Sequence, residues 1–289
     1  MRVTALMAAA MLTVAAAAEA QTRGLYLGGF AGALFQNGDP DETVEFDTDL
    51  DEEFGDTVRT IAGADAFSPG FCAGLATGPT PATACEDDED GFVLGGRAGY
   101  DWQRDTLLFG IVADVSFPEA TDSVSAFSTT PAFYGFTREL NVLTGLRGRI
   151  GIGNDQVMVY GTGGVAFGWV EHTFATSNAV NTFVAINRDD DDDDEDEDED
   201  EDDEDGGERD GAPGYQLGAG IEYRLTDRLF VTGEYLFTSL DDRQDGIIRA
   251  QGPAPAGNPF LLADPGGTDL RRSDRFAVHA ITVGLNVRF

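Results

Sequence analysis

Eight segments of this chain alternate apolar and polar residues with a period of two, and the connections between them alternate short and long. The segments are 24–36, 91–103, 107–117, 140–153, 157–171, 214–225, 229–239 and 275–289. Successive side chains on a strand point to opposite faces, so each segment reads as a strand with one apolar and one polar face. The last is the clearest. Counting back from Phe289, Val287, Leu285, Val283 and Ile281 share one face, while Arg288, Asn286, Gly284 and Thr282 share the other. Three connections span three residues each, at 104–106, 154–156 and 226–228; four are long, at 37–90, 118–139, 172–213 and 240–274. Strict alternation collects the tight turns at one end and the long loops at the other.

The amino terminus says which solvent these strands meet. Arg2, an apolar alanine-rich run from Val3 to Ala18, and the small-x-small site Ala18-Glu19-Ala20 form an export signal, so the mature chain is expected to begin at Gln21. No later stretch approaches the length of apolar sequence that a membrane helix needs. If the exported chain spans a bilayer, a closed barrel is the remaining solution, because lipid offers an open sheet edge no hydrogen-bond partners. The expected fold is all-β: an eight-stranded antiparallel up-and-down transmembrane barrel with short periplasmic turns and four long extracellular loops. An even strand number places both termini in the periplasm. Aromatic residues on the apolar faces fall into two belts, Trp102, Tyr100, Tyr223 and Phe289 at the turn end, Phe35, Trp169, Tyr215 and Phe237 at the loop end. Two belts match the two interfaces of a bilayer.

The opposite faces carry Arg97, Asp101, Asp114, Arg147, Arg149, Glu222, Arg224 and Glu234. An eight-stranded barrel is just wide enough for side chains to fill, so these charges are expected to neutralise one another across a plugged interior.

The formal net charge is −35, which argues against nucleic acid as a partner. An unbroken run of 17 acidic residues, Asp189 to Asp205, supplies nearly half of it. Such a block repels itself, stays solvated and extended, and cannot fold by burial. It is expected at most to gather divalent cations weakly and without specificity through its carboxylate oxygens. Asp87-Asp88-Glu89-Asp90-Gly91 is likewise too short for a defined cation loop. Two cysteines, Cys72 and Cys85, follow an export signal and are expected to form a disulfide within the first loop, worth about 3 kcal/mol by chain entropy. Zinc would need more thiol or imidazole ligands than this neighbourhood holds. The glycines of Gly161-Thr162-Gly163-Gly164 lie inside a strand pattern with no helix behind them, which suits close packing and not a phosphate cradle.

Several motifs in order resemble a known group. Leu146-Arg147-Gly148-Arg149-Ile150-Gly151, Tyr160-Gly161-Thr162-Gly163-Gly164-Val165-Ala166, Gly218-Ala219-Gly220-Ile221-Glu222-Tyr223, Gly233-Glu234-Tyr235-Leu236-Phe237 and the close from Thr282 to Phe289 resemble the small porin-like outer-membrane proteins of alphaproteobacteria. That group is similar in architecture to the transmembrane domain of outer membrane protein A. The resemblance covers the eight strands and none of the loops. It implies insertion by the outer-membrane barrel assembly machinery, which reads a terminal strand ending in Phe289. It also implies a role in envelope integrity, surface contact or small-solute passage. No peptidoglycan-binding domain follows Phe289, so a cell-wall tether is not expected.

Catalysis rests on thin signals. His172 follows the fifth strand beside Glu171, and His279 lies on the lipid-facing register of the last strand with Ser273 six residues earlier. Sequence proximity does not make a catalytic geometry, so no enzyme, cofactor or specific metal site is expected. The expected function is a structural, envelope-integrity or surface-interaction role for a monomeric barrel in contact with outer-membrane lipid and lipopolysaccharide. The alternative is a narrow porin for small solutes or ions; a barrel enzyme acting on lipid or peptide ranks behind both.

Overall fold

The computed structural model describes residues 24–36, 42–88, 90–104, 106–154, 156–186, 208–255 and 257–289. The expected export signal at 1–20 and the acidic run from Asp189 to Asp205 lie outside them. Sixteen strands are numbered in chain order. Eight form the barrel: β1 (Gly24–Phe35), β6 (Gly91–Arg104), β7 (Leu107–Pro118), β9 (Ala132–Gly153), β10 (Val157–Thr176), β12 (Glu208–Arg224), β13 (Leu229–Leu240) and β16 (Phe276–Arg288). The others belong to the long loops: β2 (Val44–Asp47), β3 (Gly70–Ala73), β4 (Leu75–Ala76), β5 (Cys85–Glu86), β8 (Ala120–Ser128), β11 (Thr182–Ile186), β14 (Ile247–Gln251) and β15 (Thr268–Arg272).

The barrel closes in the order β1, β6, β7, β9, β10, β12, β13, β16 and back to β1, each pair antiparallel. At the seam Tyr26 faces Arg288 and Phe35 faces His279. Tight turns are built by short polar side chains. Asn154 Oδ1 accepts from the N–H groups of Gln156 (2.8 Å) and Val157 (3.0 Å), and the Thr226 hydroxyl accepts from Leu229 N at 3.1 Å. The outward faces are greasy: Leu27, Ile111, Ile150, Leu217 and Leu285 are each about half exposed. Both aromatic belts face outward, with Tyr100 against Trp102 at 4.8 Å, Phe167 against Trp169 at 5.0 Å and Tyr215 against Phe237 at 6.0 Å.

The eight expected strands are all present, but three run further. β9 begins eight residues before the expected start, β10 continues five residues past the expected end, and β12 starts six residues early. The reason is that the pattern does not stop where lipid stops. Above the outer belt these strands pack against protein. β8 continues β7 after a break at Glu119 and pairs with the upper half of β9, with β3 beside it. A second, four-stranded sheet runs β11, β14, β15, β2. The two sheets share one apolar core in which Val124, Tyr134 and Phe136 of the first meet Phe46, Ala250 and Leu270 of the second. The long loops thus fold into a β-sandwich cap on the barrel. The disulfide joins Cys72 of β3 to Cys85 of β5.

Candidate functional site

The interior is stacked in layers, and the layers decide what can pass. The layer nearest the turn end is ionic. Arg97 contacts Glu234 at 3.2 Å, Arg147 contacts Glu234 at 3.2 Å and Asp114 at 2.6 Å, and Arg149 contacts Asp101 at 2.9 Å and Glu222 at 3.0 Å. Arg288 closes the group, 2.6 Å from Asp101 and 3.1 Å from Glu222. Four guanidinium groups meet four carboxylates, all almost wholly buried. Tyr160 donates its hydroxyl to Glu234 at 2.8 Å, and Arg149 lies over the rings of Tyr26 (5.2 Å) and Tyr160 (4.7 Å). These rings need absent side chains opposite them: a Cβ at Gly99 would fall 2.3 Å from Tyr26 Oη, and one at Gly220 would fall 2.5 Å from the Tyr160 ring.

Arg224 stands apart from this group. It is half-buried at the turn end, with its guanidinium 5.7 Å from the Phe230 ring. Arg288 takes the place in the network that the sequence reading gave to Arg224. Its parity put it on the lumen face, and only the closure of β16 on β1 brings it beside Asp101.

Above the ions sits an apolar layer. Phe30, Leu34, Val93, Leu143, Val278 and Ala280 converge from four strands, roofed by Leu140, Leu240 and Phe276. The space left between this layer and the ions is about 20 Å³, room for about one water molecule. These side chains plug the barrel between the ionic layer and the cap, and Ser116, Gln216 and Thr238 also line the small space beside them.

A second ionic layer lies above the plug, at the junction with the cap and beyond the outer aromatic belt. Arg138 contacts Asp122 at 2.7 Å and Asp242 at 2.9 Å. Arg272 contacts Asp122 at 2.9 Å and also pairs with Glu42. Carboxylates outnumber guanidinium groups here. Burial pushes the Glu42 carboxyl up to about 7 against the pull of Arg272, with Asp122 adding repulsion. Burial pushes Asp88 up to about 6, and Asp122 adds to it. His172 projects into the same layer from β10. Burial takes its imidazole down to about 4, helped by Arg138 and Arg272 and opposed by Asp242.

The remaining candidates are dispersed. His279 faces outward, its Nδ1 2.7 Å from the Tyr235 hydroxyl and its ring 5.0 Å from Phe237. Ser273 uses its hydroxyl to accept from Thr43 N at 3.0 Å. Phe289 points outward at the turn end and donates its N–H to the Leu25 carbonyl at 2.9 Å. Three carboxylates in the first loop, Asp47, Asp49 and Asp56, lie within 4.8 Å of one another, and Asp47 already accepts from Leu50 N and Glu52 N. The junction layer and its donors had no signal in the sequence, because its members come from four separate long loops.

The chain matches the model of a family described as "Outer membrane protein beta-barrel domain" over residues 4–289. It is 27% identical over 249 residues to the 31 kDa outer-membrane immunogenic protein of Brucella melitensis biotype 1, covering 81% of this chain and 85% of that one. It is 25% identical over 158 residues to the 22 kDa outer membrane protein of Rhizobium leguminosarum bv. viciae, covering 54% and 57% respectively. The crystal structure of the outer membrane protein OprG from Pseudomonas aeruginosa aligns with 92% of this chain and 97% of its own at a TM-score of 0.43 and 12% identity.

Proposed function

Because this chain belongs to the outer membrane protein β-barrel domain family, we propose that it is a sealed, non-catalytic outer-membrane anchor that holds a folded β-sandwich at the cell surface. The apolar plug carries this reading. A conduit for ions or polar solutes needs a continuous polar path, and burying an unpaired ion in an apolar layer costs several kcal/mol or more. The name of the Brucella relatives, outer-membrane immunogenic protein, fits a chain whose mass beyond the bilayer is displayed. The cap then faces outward and both termini face the periplasm. The outer aromatic belt sits among lipopolysaccharide, and the terminal strand ending in Phe289 addresses the barrel assembly machinery. His172 and His279 serve as packing and interfacial groups, and the acidic run gathers divalent cations loosely.

The test is conductance. Purified, folded full-length chain in a planar bilayer should give no reproducible unitary current steps. Regular unitary steps would overturn the reading and establish a narrow porin in its place.

A further inference from the structure

The cap carries a second feature that a mere lid would not need. At the end farthest from the barrel, a cavity of about 520 Å³ opens between three loops. The tip of the β8–β9 hairpin (128–132), the β10–β11 connection (177–181) and the segment 255–260 form its walls. Its size falls within the about 300–1,000 Å³ usual for small-molecule sites. The floor is a triangle of rings: Phe67 to Tyr134 at 5.3 Å, Phe67 to Phe260 at 5.8 Å and Tyr134 to Phe260 at 5.4 Å.

The walls are held in advance of any ligand. Asn178 Nδ2 donates to the Tyr134 hydroxyl at 2.8 Å and to Asn181 Oδ1 at 3.1 Å. Asn258 Nδ2 donates to Asn181 Oδ1 at 2.9 Å, and Asn258 Oδ1 accepts from Phe260 N at 3.1 Å. Three asparagines from two loops thereby lock to one another and to the aromatic floor. An amide nitrogen carries two donors, and that of Asn258, which lines the cavity, spends one on Asn181. The hydroxyls of Thr129 and Thr130 stand exposed at the rim, and Pro131, Val180 and Pro255 offer exposed aliphatic surface.

Charge gives the second clue. None of the residues lining this cavity is ionisable at neutral pH, in a chain of which 25% is Asp, Glu, Lys or Arg. Another large cavity, below the cap, shows the contrast: Glu86, Asp87, Asp88, Asp90, Glu119 and Glu139 all line it. A neutral recess on a molecule of net charge −35 disfavours phosphates, sulfates and uronates through the surrounding field. It offers no counter-charge to a cation either. What fits is an uncharged molecule that is both hydroxylated and partly apolar.

We propose that the apical cavity of the cap binds a neutral saccharide, with Asn258, Thr129 and Thr130 engaging hydroxyls and the proline and valine walls taking the C–H faces of the ring. Preorganised amides reduce the ordering cost of binding. This deepens the surface-display reading and rests on it for access from outside, yet it fails separately: conductance tests the plug, and sugar binding tests the cap.

The test uses the full chain folded in a zwitterionic detergent, which has no sugar headgroup to compete. Calorimetric titrations are run with maltose, lactose and diacetylchitobiose, and with a glucuronate-containing disaccharide as the charged counterpart. At least one neutral disaccharide should bind saturably, about tenfold or more tighter than the uronate at low salt. Ala179→Trp, which fills the cavity from an exposed position, and Thr130→Asp, which places a charge at the rim, should each weaken it about tenfold or more. Both variants must keep the heat-dependent gel shift of the folded barrel, so that a loss of binding is not a loss of fold. Absence of saturable binding by all three neutral sugars would overturn the proposal. So would binding unchanged in Ala179→Trp, or occupancy by the apolar dye N-phenyl-1-naphthylamine that no sugar displaces.

Discussion

Glu234 is the group on which the lumen's ionic layer turns, and its removal gives the sharpest measure of how dry that layer is. Its Oε1 serves both Arg97 and Arg147 at 3.2 Å, and its Oε2 accepts the Tyr160 hydroxyl at 2.8 Å. In Glu234→Ala, Arg147 retains Asp114 at 2.6 Å, while Arg97 loses the carboxylate it pairs with and keeps its contact with the Phe30 ring, 4.5 Å away. Breaking a buried pair by removing one partner costs about 3–5 kcal/mol. The Tyr160 hydroxyl, left without its acceptor, adds about 1–2 kcal/mol. Glu234→Gln keeps an acceptor for Tyr160 and should cost roughly half as much. The paired change Arg97→Met with Glu234→Leu removes the charge on both sides and should return to within about 1–2 kcal/mol of the parent. Urea unfolding of the membrane-folded chain, followed by the fluorescence of the outward-facing Trp102 and Trp169, reads these differences. A loss under about 1 kcal/mol in Glu234→Ala, the range of solvent-exposed pairs, would mean that water reaches Arg97, and the sealed interior would be refuted.

Further predictions concern the cap and the wall. At the junction, opposed titrations of carboxyl and imidazole groups set the pH response. Glu42 is raised when folded, so its contribution is full below its ordinary value and fades as pH rises through about 7; His172 is depressed, so its contribution is full above its ordinary value and fades as pH falls through about 4. Asp88, raised to about 6, acts in the same sense as Glu42, so the parent cap should gain modestly on acidification between those limits. His172→Gln should gain stability on acidification and Glu42→Gln should gain less or lose it, read as protease resistance of the cap across pH. Replacing Cys72 and Cys85 by serine should cost about 3 kcal/mol locally, exposing residues 73–84 to protease while the barrel keeps its gel shift. Gly99→Ala puts a methyl group into the Tyr26 ring and should destabilise the barrel by about 1–3 kcal/mol in the same urea assay.

The barrel was legible because lipid imposes one rule on every strand, outward apolar and inward polar, over a fixed length. Leu285 and Ile150 announce themselves by parity alone, and the lumen residues follow as their complement. Parity names Arg97, Arg147 and Glu234 but not their partners, since pairing depends on which strands close the ring; Arg288 and Arg224 share the lumen parity, and only closure sets Arg288 against Asp101 while Arg224 stays at the turn end beside Phe230. The cap was not legible. Its strands are short, β4 and β5 being two residues each, and their apolar positions find partners more than two hundred residues away, as Val44 does against the β15 end at Arg272. No local period marks such strands. The apical cavity was equally hidden, because Asn178, Asn181 and Asn258 read individually as ordinary turn residues.

One residue links the two halves. Strand β9 passes from lipid into the cap, and its register against β10 slips where Trp169 faces Val142 and Val170 faces Leu140. Asn141 is the extra residue of this bulge. Below it the buried positions of β9 are odd, Leu143, Gly145, Arg147 and Arg149; above it they are even, Leu140, Arg138, Phe136 and Tyr134. A slip of one residue exchanges the faces of a strand, so the bulge lets one strand serve the lumen and then turn the right side chains into the plug, the junction and the cap core. Deleting Asn141 should leave the lower pairing of β9 intact and rotate Tyr134, Phe136, Arg138 and Leu140 outward, replacing them inside with Phe133, Gly135, Thr137 and Glu139. The barrel should keep its resistance to unheated detergent, while the cap loses its core and becomes sensitive to protease. A deletion variant whose cap stays as protected as the parent would show that the upper sheet sets its own register, and that the bulge is a passive seam and not the switch between faces.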